Sequence, residues 1–170
     1  DLRIYLTVDY EVGSGITLCF GLKAFWLEPT PYGSTEKKAT KTWKPKVFVV
    51  DRKDTASEER ELLALLDEIR KILSAKEVTE SDPVTKVQFY LWDSNQQNHL
   101  ARIVGRHLPT ILSRKSLAHL AWLFPPEDLV RNAESETRRS PLTVVSEVIR
   151  NVLAAPIPHT YTLLKVARVY

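Results

Sequence analysis

Apolar positions fall into two periods along this chain, and the change between them separates a strand-rich front from a helix-rich remainder. Arg3-Ile4-Tyr5-Leu6-Thr7-Val8 is rich in β-branched and apolar residues and closes on Asp9. Gly13-Ser14-Gly15 then supplies a turn before the apolar run from Ile16 to Leu27, so these segments predict a hairpin. Pro29, Pro31 and Gly33 end its second strand, and the lysine-rich stretch behind them reads as a loop. Lys46-Val47-Phe48-Val49-Val50 predicts a third short strand, closing on Asp51. Three strands in succession predict a meander.

Helical spacing then takes over. Leu62, Leu65, Leu66, Ile69 and Leu73 recur at three and four, and Thr55 with Glu58 has the pattern of a capping box at the start of that helix. After the polar stretch 74–83, Val87-Gln88-Phe89-Tyr90-Leu91-Trp92 reads as a buried strand. Ser94 and Gln97 suggest a second capping box, followed by the stripe Leu100, Ile103, Val104, His107 and Leu108 of a second helix. A third helical pattern covers Ser116 to Phe124 and stops at Pro125-Pro126. A fourth is predicted from Ser140-Pro141, with serine as cap and proline at the first helical position, through Val144, Val145, Val148, Ile149 and Val152. Asn132 to Arg139 reads as a surface loop, and no internal repeat is visible, so residues 1–170 are read as one α/β domain.

Composition narrows the class. The 170 residues are 44% apolar and 26% charged, which excludes disordered, collagen-like and coiled-coil chains. Uncharged apolar stretches such as Leu117 to Phe124 fall far short of the roughly 20 residues of a membrane span, and no export signal is read. The single cysteine, Cys19, rules out a disulfide scaffold and a Cys-rich zinc site; it reads as a core residue, and a reducing, cytoplasmic compartment is the expectation. The chain contains no methionine and opens at Asp1 inside a strand, which reads as a fragment of a larger polypeptide.

A net charge of +3 decides nothing by itself, but its clustering bears on partners. Lys37, Lys38, Lys41, Lys44 and Lys46 share one segment with Trp43, and Arg138 and Arg139 form a second group. Such a lysine run is either a solvated loop or a patch that contacts a nucleic-acid backbone. Among the tryptophans, Trp92 and Trp122 lie in apolar surroundings and read as core, while Trp43 is the one placed to stack on an unpaired base.

Candidate chemistry centres on Val8-Asp9-Tyr10-Glu11. On a strand, residues i and i+2 point to the same side, so the Asp9 and Glu11 carboxylates could converge on one divalent cation; an acidic pair at a strand end can equally begin a turn. His99 and His107 flank the second helix, one read on its polar side and one near its end, and His159 sits beside proline in a loop. Gly13-Ser14-Gly15 lacks the downstream Lys-Ser/Thr of a phosphate loop and precedes a strand, which excludes that nucleotide-binding motif.

Three meander strands, a helix, a strand and a helix are the opening of a ribonuclease H-like fold. The stretches from Arg3 to Phe25, from Glu58 to Ile72, Phe89-Tyr90-Leu91-Trp92-Asp93-Ser94 leading into Leu100-Ala101-Arg102, and from Val144 to Lys165 resemble the RecB-associated, YprB-like branch of the DEDD exonuclease superfamily. The resemblance implies a ribonuclease H-like α/β domain, its three-stranded antiparallel meander extended by a further strand and flanked by helices. It implies a metal-dependent 3'-5' exonuclease-like activity on DNA or RNA, single-stranded by preference, within a helicase-associated polypeptide. Mg2+ or Mn2+ would be the cofactor.

Asp9 and Glu11 match the first acidic motif of that branch. The second motif falls on Trp92 to Gln96, where Gln96 replaces the expected acid and Asp93 is displaced from it; the third falls near Ser146 and Glu147, ahead of Tyr161-Thr162-Leu163-Leu164-Lys165. The resemblance thus implies Asp9, Glu11 and Asp93 as catalytic residues, with Glu147 a fourth metal ligand and Lys37, Lys38, Lys41, Trp43 and Lys44 as the nucleic-acid contact. The departures at Gln96 and Ser146 imply the alternative: an inactive pseudonuclease kept as a nucleic-acid-binding or protein-interaction module.

Overall fold

The computed structural model describes residues 1–28, 39–75, 87–124 and 142–152. Their elements, in chain order, are β1 (Leu2–Tyr10), β2 (Thr17–Leu27), β3 (Ala39–Thr42), β4 (Lys46–Val49), α1 (Thr55–Ser74), β5 (Val87–Leu91), α2 (Ser94–Arg106), α3 (Leu108–Ser113), a 3-10 turn (Ala118–Leu123), β6 (Leu142–Val144) and α4 (Val145–Val152). The fold is α/β: one mixed six-stranded sheet flanked by helices, in the order β3-β2-β1-β5-β6, with β4 also on β2. β1 to β4 pair antiparallel, whereas β5 runs parallel to β1 and β6 parallel to β5. No helix among the described residues is long and apolar enough to cross a membrane.

Alternation fixes which face of the sheet is covered. Leu2, Ile4, Leu6 and Val8 of β1 are buried, and so are Phe20, Leu22 and Ala24 opposite them on β2. They pack with Leu62, Leu65, Leu66 and Ile69 of α1 and with Leu100, Ile103 and Val104 of α2 in one core. Each of the leucine, isoleucine, valine and phenylalanine side chains contributes about 1.5–3 kcal/mol by leaving water, so this layer supplies the main driving force. The opposite face carries Tyr5, whose ring lies between Phe25 at 5.2 Å and Tyr90 at 4.7 Å. That face bounds an open groove of about 500 Å³, lined among others by Thr7, Lys23, Trp92 and Gln96.

Several local expectations are corrected. The lysine-rich segment is not all loop: β2 is long enough to pair with β4 along Cys19–Leu22 and with β3 along Phe25–Leu27, so the chain returns along it in two steps and Lys41 lies in β3. Neither capping box forms. Asp54 caps α1, accepting the Ser57 amide at 2.7 Å, and Asp93 caps α2, accepting the Gln96 amide at 2.9 Å. The fourth helix begins late, because Leu142–Val144 first pairs in parallel with Phe89–Leu91 as β6. Cys19 is half-buried opposite Asp9 rather than in the core, with burial and then the Asp9 charge pushing its thiol up. Trp92 is likewise half-buried; the Trp122 side chain, residues 76–83 and the predicted loop 132–139 lie outside what is described.

One close approach locks the open face. A Cβ added at Gly21 would stand 2.5 Å from Thr7 Cγ2 on the neighbouring strand. Gly21→Ala is expected to destabilise the protein by about 1–3 kcal/mol through overpacking. In a Thr7→Ala background the same change should cost close to nothing, and a double-mutant cycle in urea measures the difference.

Candidate functional site

The parallel part of the sheet brings three of the predicted acids to one edge. Asp9 stands at the carboxyl end of β1, Asp93 just beyond that of β5, and Glu147 in the first turn of α4 after β6. The β1–β5 register runs from Leu2 with Val87 to Tyr5 with Tyr90, and both strands continue towards the edge that carries Asp9 and Asp93. Carboxyl ends of adjacent parallel strands are where α/β sheets place ligands.

Side-chain geometry at this edge differs from the expectation. β1 has a register shift between Asp9 and Tyr10 and ends there, so the i, i+2 alternation does not carry through to Glu11. Glu11 instead turns into the hairpin: its carboxylate accepts from Lys53 Nζ at 2.6 Å and from the Ser14 hydroxyl at 2.7 Å, and these two partners hold its carboxyl below the usual range. Gly15 closes the hairpin at φ +65°, a conformation that disfavours any residue with a Cβ, and donates its amide to the Glu11 carbonyl at 2.8 Å.

The Asp93 carboxylate is engaged as the α2 cap. Gln96, where the second motif expects an acid, accepts the Trp92 amide at 3.3 Å and reaches the Thr7 hydroxyl at 3.4 Å. Ser146 is buried, its amide donating to the Trp92 carbonyl at 2.9 Å, and Glu147 is exposed. Among the described residues no group of three or more His, Cys, Asp or Glu side chains could hold a metal ion. As placed, these acids do not fit a two-metal centre, which relies on several carboxylates to hold ions about 3.5–4 Å apart.

Of the expected nucleic-acid contacts, Lys41 and Lys44 are exposed beside half-buried Trp43, which packs on the core. Lys41 Nζ lies 4.6 Å from the centroid of the Trp43 ring, so a stacking base would compete with a cation already there. Lys37, Lys38, Arg138, Arg139, His159 and the segment 161–165 lie outside the described residues.

The strongest polar cluster was not legible as a site. Glu58 is 0% exposed, and its carboxylate accepts the Thr17 amide at 2.7 Å, Arg106 Nη1 at 2.7 Å and a His107 ring nitrogen at 3.0 Å. Burial acts to raise its pKa, but the Thr17 amide, His107 and Arg106 outweigh burial and hold the carboxyl below its ordinary value. His99, expected on the polar side of α2, is buried and stacks on Tyr10 with ring centroids 3.9 Å apart. Arg102 Nη2, which can only donate, faces His99 Nδ1 at 3.1 Å, so the ring hydrogen sits on Nε2 and points to the Thr17 hydroxyl at 2.8 Å. Burial, reinforced by the Arg102 charge, pushes His99 down to about 4. In the sequence Glu58, His99, Arg106 and His107 show only as polar positions on two amphipathic helices, with no motif linking them.

Comparisons with protein families, with curated proteins and with solved structures find no match.

Two measurements check these assignments. Because asparagine keeps a capping oxygen, Asp93→Asn should change stability little, whereas Asp93→Ala should cost about 1 kcal/mol in urea unfolding. For His99 the folded value near 4 lies below the ordinary 6.5, so between them the unfolded chain takes up a proton that the folded one refuses. Stability is therefore expected to fall as pH drops from about 6.5 to about 4, by up to about 3 kcal/mol. Glu58 adds a further loss as pH passes through its lowered value. Urea unfolding at a series of pH values should show the decline in the wild type and a flatter curve in His99→Gln.

Proposed function

We propose that this chain is a ribonuclease H-like domain whose acidic edge no longer assembles a two-metal centre, and that it serves as a single-strand nucleic-acid docking module of a larger helicase–nuclease polypeptide. One observation carries the reading: at the carboxyl end of β5 Asp93 caps α2, while Gln96 occupies the acid's place and bonds to the Trp92 amide and Thr7. An antiparallel meander followed by α1, β5 and α2, with β5 parallel to β1, supports the ribonuclease H-like part of the reading. Exposed Lys41 and Lys44 beside Trp43 support the docking part, through counterion release and base stacking. The active-nuclease reading draws on the edge shared by Asp9, Asp93 and Glu147, and the same experiment decides it.

Binding of a single-stranded oligonucleotide should weaken steeply with salt, and the Lys41→Ala, Lys44→Ala variant should reduce the log–log slope by about 1 per lysine that contacts a phosphate. With Mg2+ or Mn2+ the wild type should leave single- and double-stranded substrates intact. Degradation that Asp9→Asn abolishes would instead establish the nuclease. Restoring the motif with Gln96→Glu and Ser146→Asp tests whether the scaffold can still position a metal centre. Binding that ignores salt, or its absence at low salt, would remove the docking role.

A further inference from the structure

His107 sits at the turn between α2 and α3, 5% exposed, with a carboxylate at each end of its ring. Nε2 lies 3.0 Å from Glu58 Oε1 and Nδ1 lies 3.0 Å from Glu59 Oε2. A neutral imidazole has one N–H; it would satisfy one carboxylate and turn a bare lone pair towards the other. The imidazolium has two and serves both through charge-assisted bonds. We propose that His107 is held as an imidazolium clasp between Glu58 and Glu59, its two ring N–H groups fixing the α2–α3 turn onto α1.

The charged and titratable groups around the ring fit this assignment. From α1 come the two carboxylates; from α2, Arg106 Nη1 shares Glu58 Oε1 at 2.7 Å; from α3, the Thr110 hydroxyl donates to Glu59 Oε2 at 3.0 Å. From the hairpin, the Thr17 amide takes the other Glu58 oxygen, and beyond it stand His99, Arg102 and Tyr10. Two carboxylates against one guanidinium and one imidazolium balance in charge. Removing the ring proton leaves an uncompensated anion in a buried site, where electrostatic effects are large. His99 sets the contrast: one of its nitrogens faces an arginine donor, so the same network holds one histidine neutral and the other charged. Glu58 bonds Thr17 as well, so the clasp also ties in the root of the β1–β2 hairpin. None of this depends on the nuclease-like reading.

Ring 15N NMR of the wild-type chain tests it, with His99 as internal reference. At pH 7 His107 should show both ring nitrogens protonated, and His99 the neutral Nε2–H form. Glu59→Gln, which keeps a hydrogen-bonding partner at a partly exposed position but removes one of the two anions, should leave His107 with a single ring N–H. A neutral, single-tautomer His107 ring at pH 7 overturns the proposal, as does a doubly protonated ring that persists in Glu59→Gln. Should that variant fail to fold, the wild-type ring spectrum alone decides.

Discussion

The fold is organised around one buried carboxylate. Glu58 lies in the first turn of α1, and its two oxygens bond the start of β2, the last residue of α2 and the turn that follows. An ionised carboxylate without water is tolerable only when such donors surround it. Hence the hairpin, α1 and the end of α2 are positioned jointly: moving one of them away leaves the charge short of a donor. The apolar core beneath supplies most of the driving force, but it is non-directional, whereas this cluster requires one particular arrangement of three elements.

At the acidic edge, backbone topology and side-chain chemistry diverge. The sheet gathers Asp9, Asp93 and Glu147 at the ends of three neighbouring parallel strands, where a ligand site is expected from the architecture. Local hydrogen bonding then engages Glu11 with Lys53 and Ser14, and Asp93 with the first turn of α2. Glu11 and Asp93 thus take structural duties, and the proposed docking function draws on that contrast with the arrangement of the strands.

Much of the architecture was legible because it depends on periodicity. Leu62, Leu65, Leu66 and Ile69 announced α1, and the β-branched run of β1 announced the central strand. The lapses occur where a partner distant in sequence overrides a local preference. Pro141 and the valines after it suggested a helix, yet pairing with Phe89–Leu91 draws Leu142–Val144 into the sheet. Thr55 and Glu58 matched a capping box, yet Asp54 stands one residue earlier with its own oxygen ready, and Glu58 has stronger donors 41 and 48 residues away. At the candidate site the acids were visible as residue types, but their partners Lys53, Ser14 and the Gln96 amide were not, since a pattern of carboxylates carries no record of what neutralises them.

The long separation between Glu58 and its cation bears on how the chain assembles. Arg106 follows Glu58 by 48 residues, and β5, the parallel neighbour of β1, also comes after α1. Packing of α1 on the meander alone would bury Glu58 without its guanidinium, an unfavourable state. Closure of that end of the core therefore requires α2 as well as α1, which makes the charged corner a contact between elements distant in sequence rather than a local one.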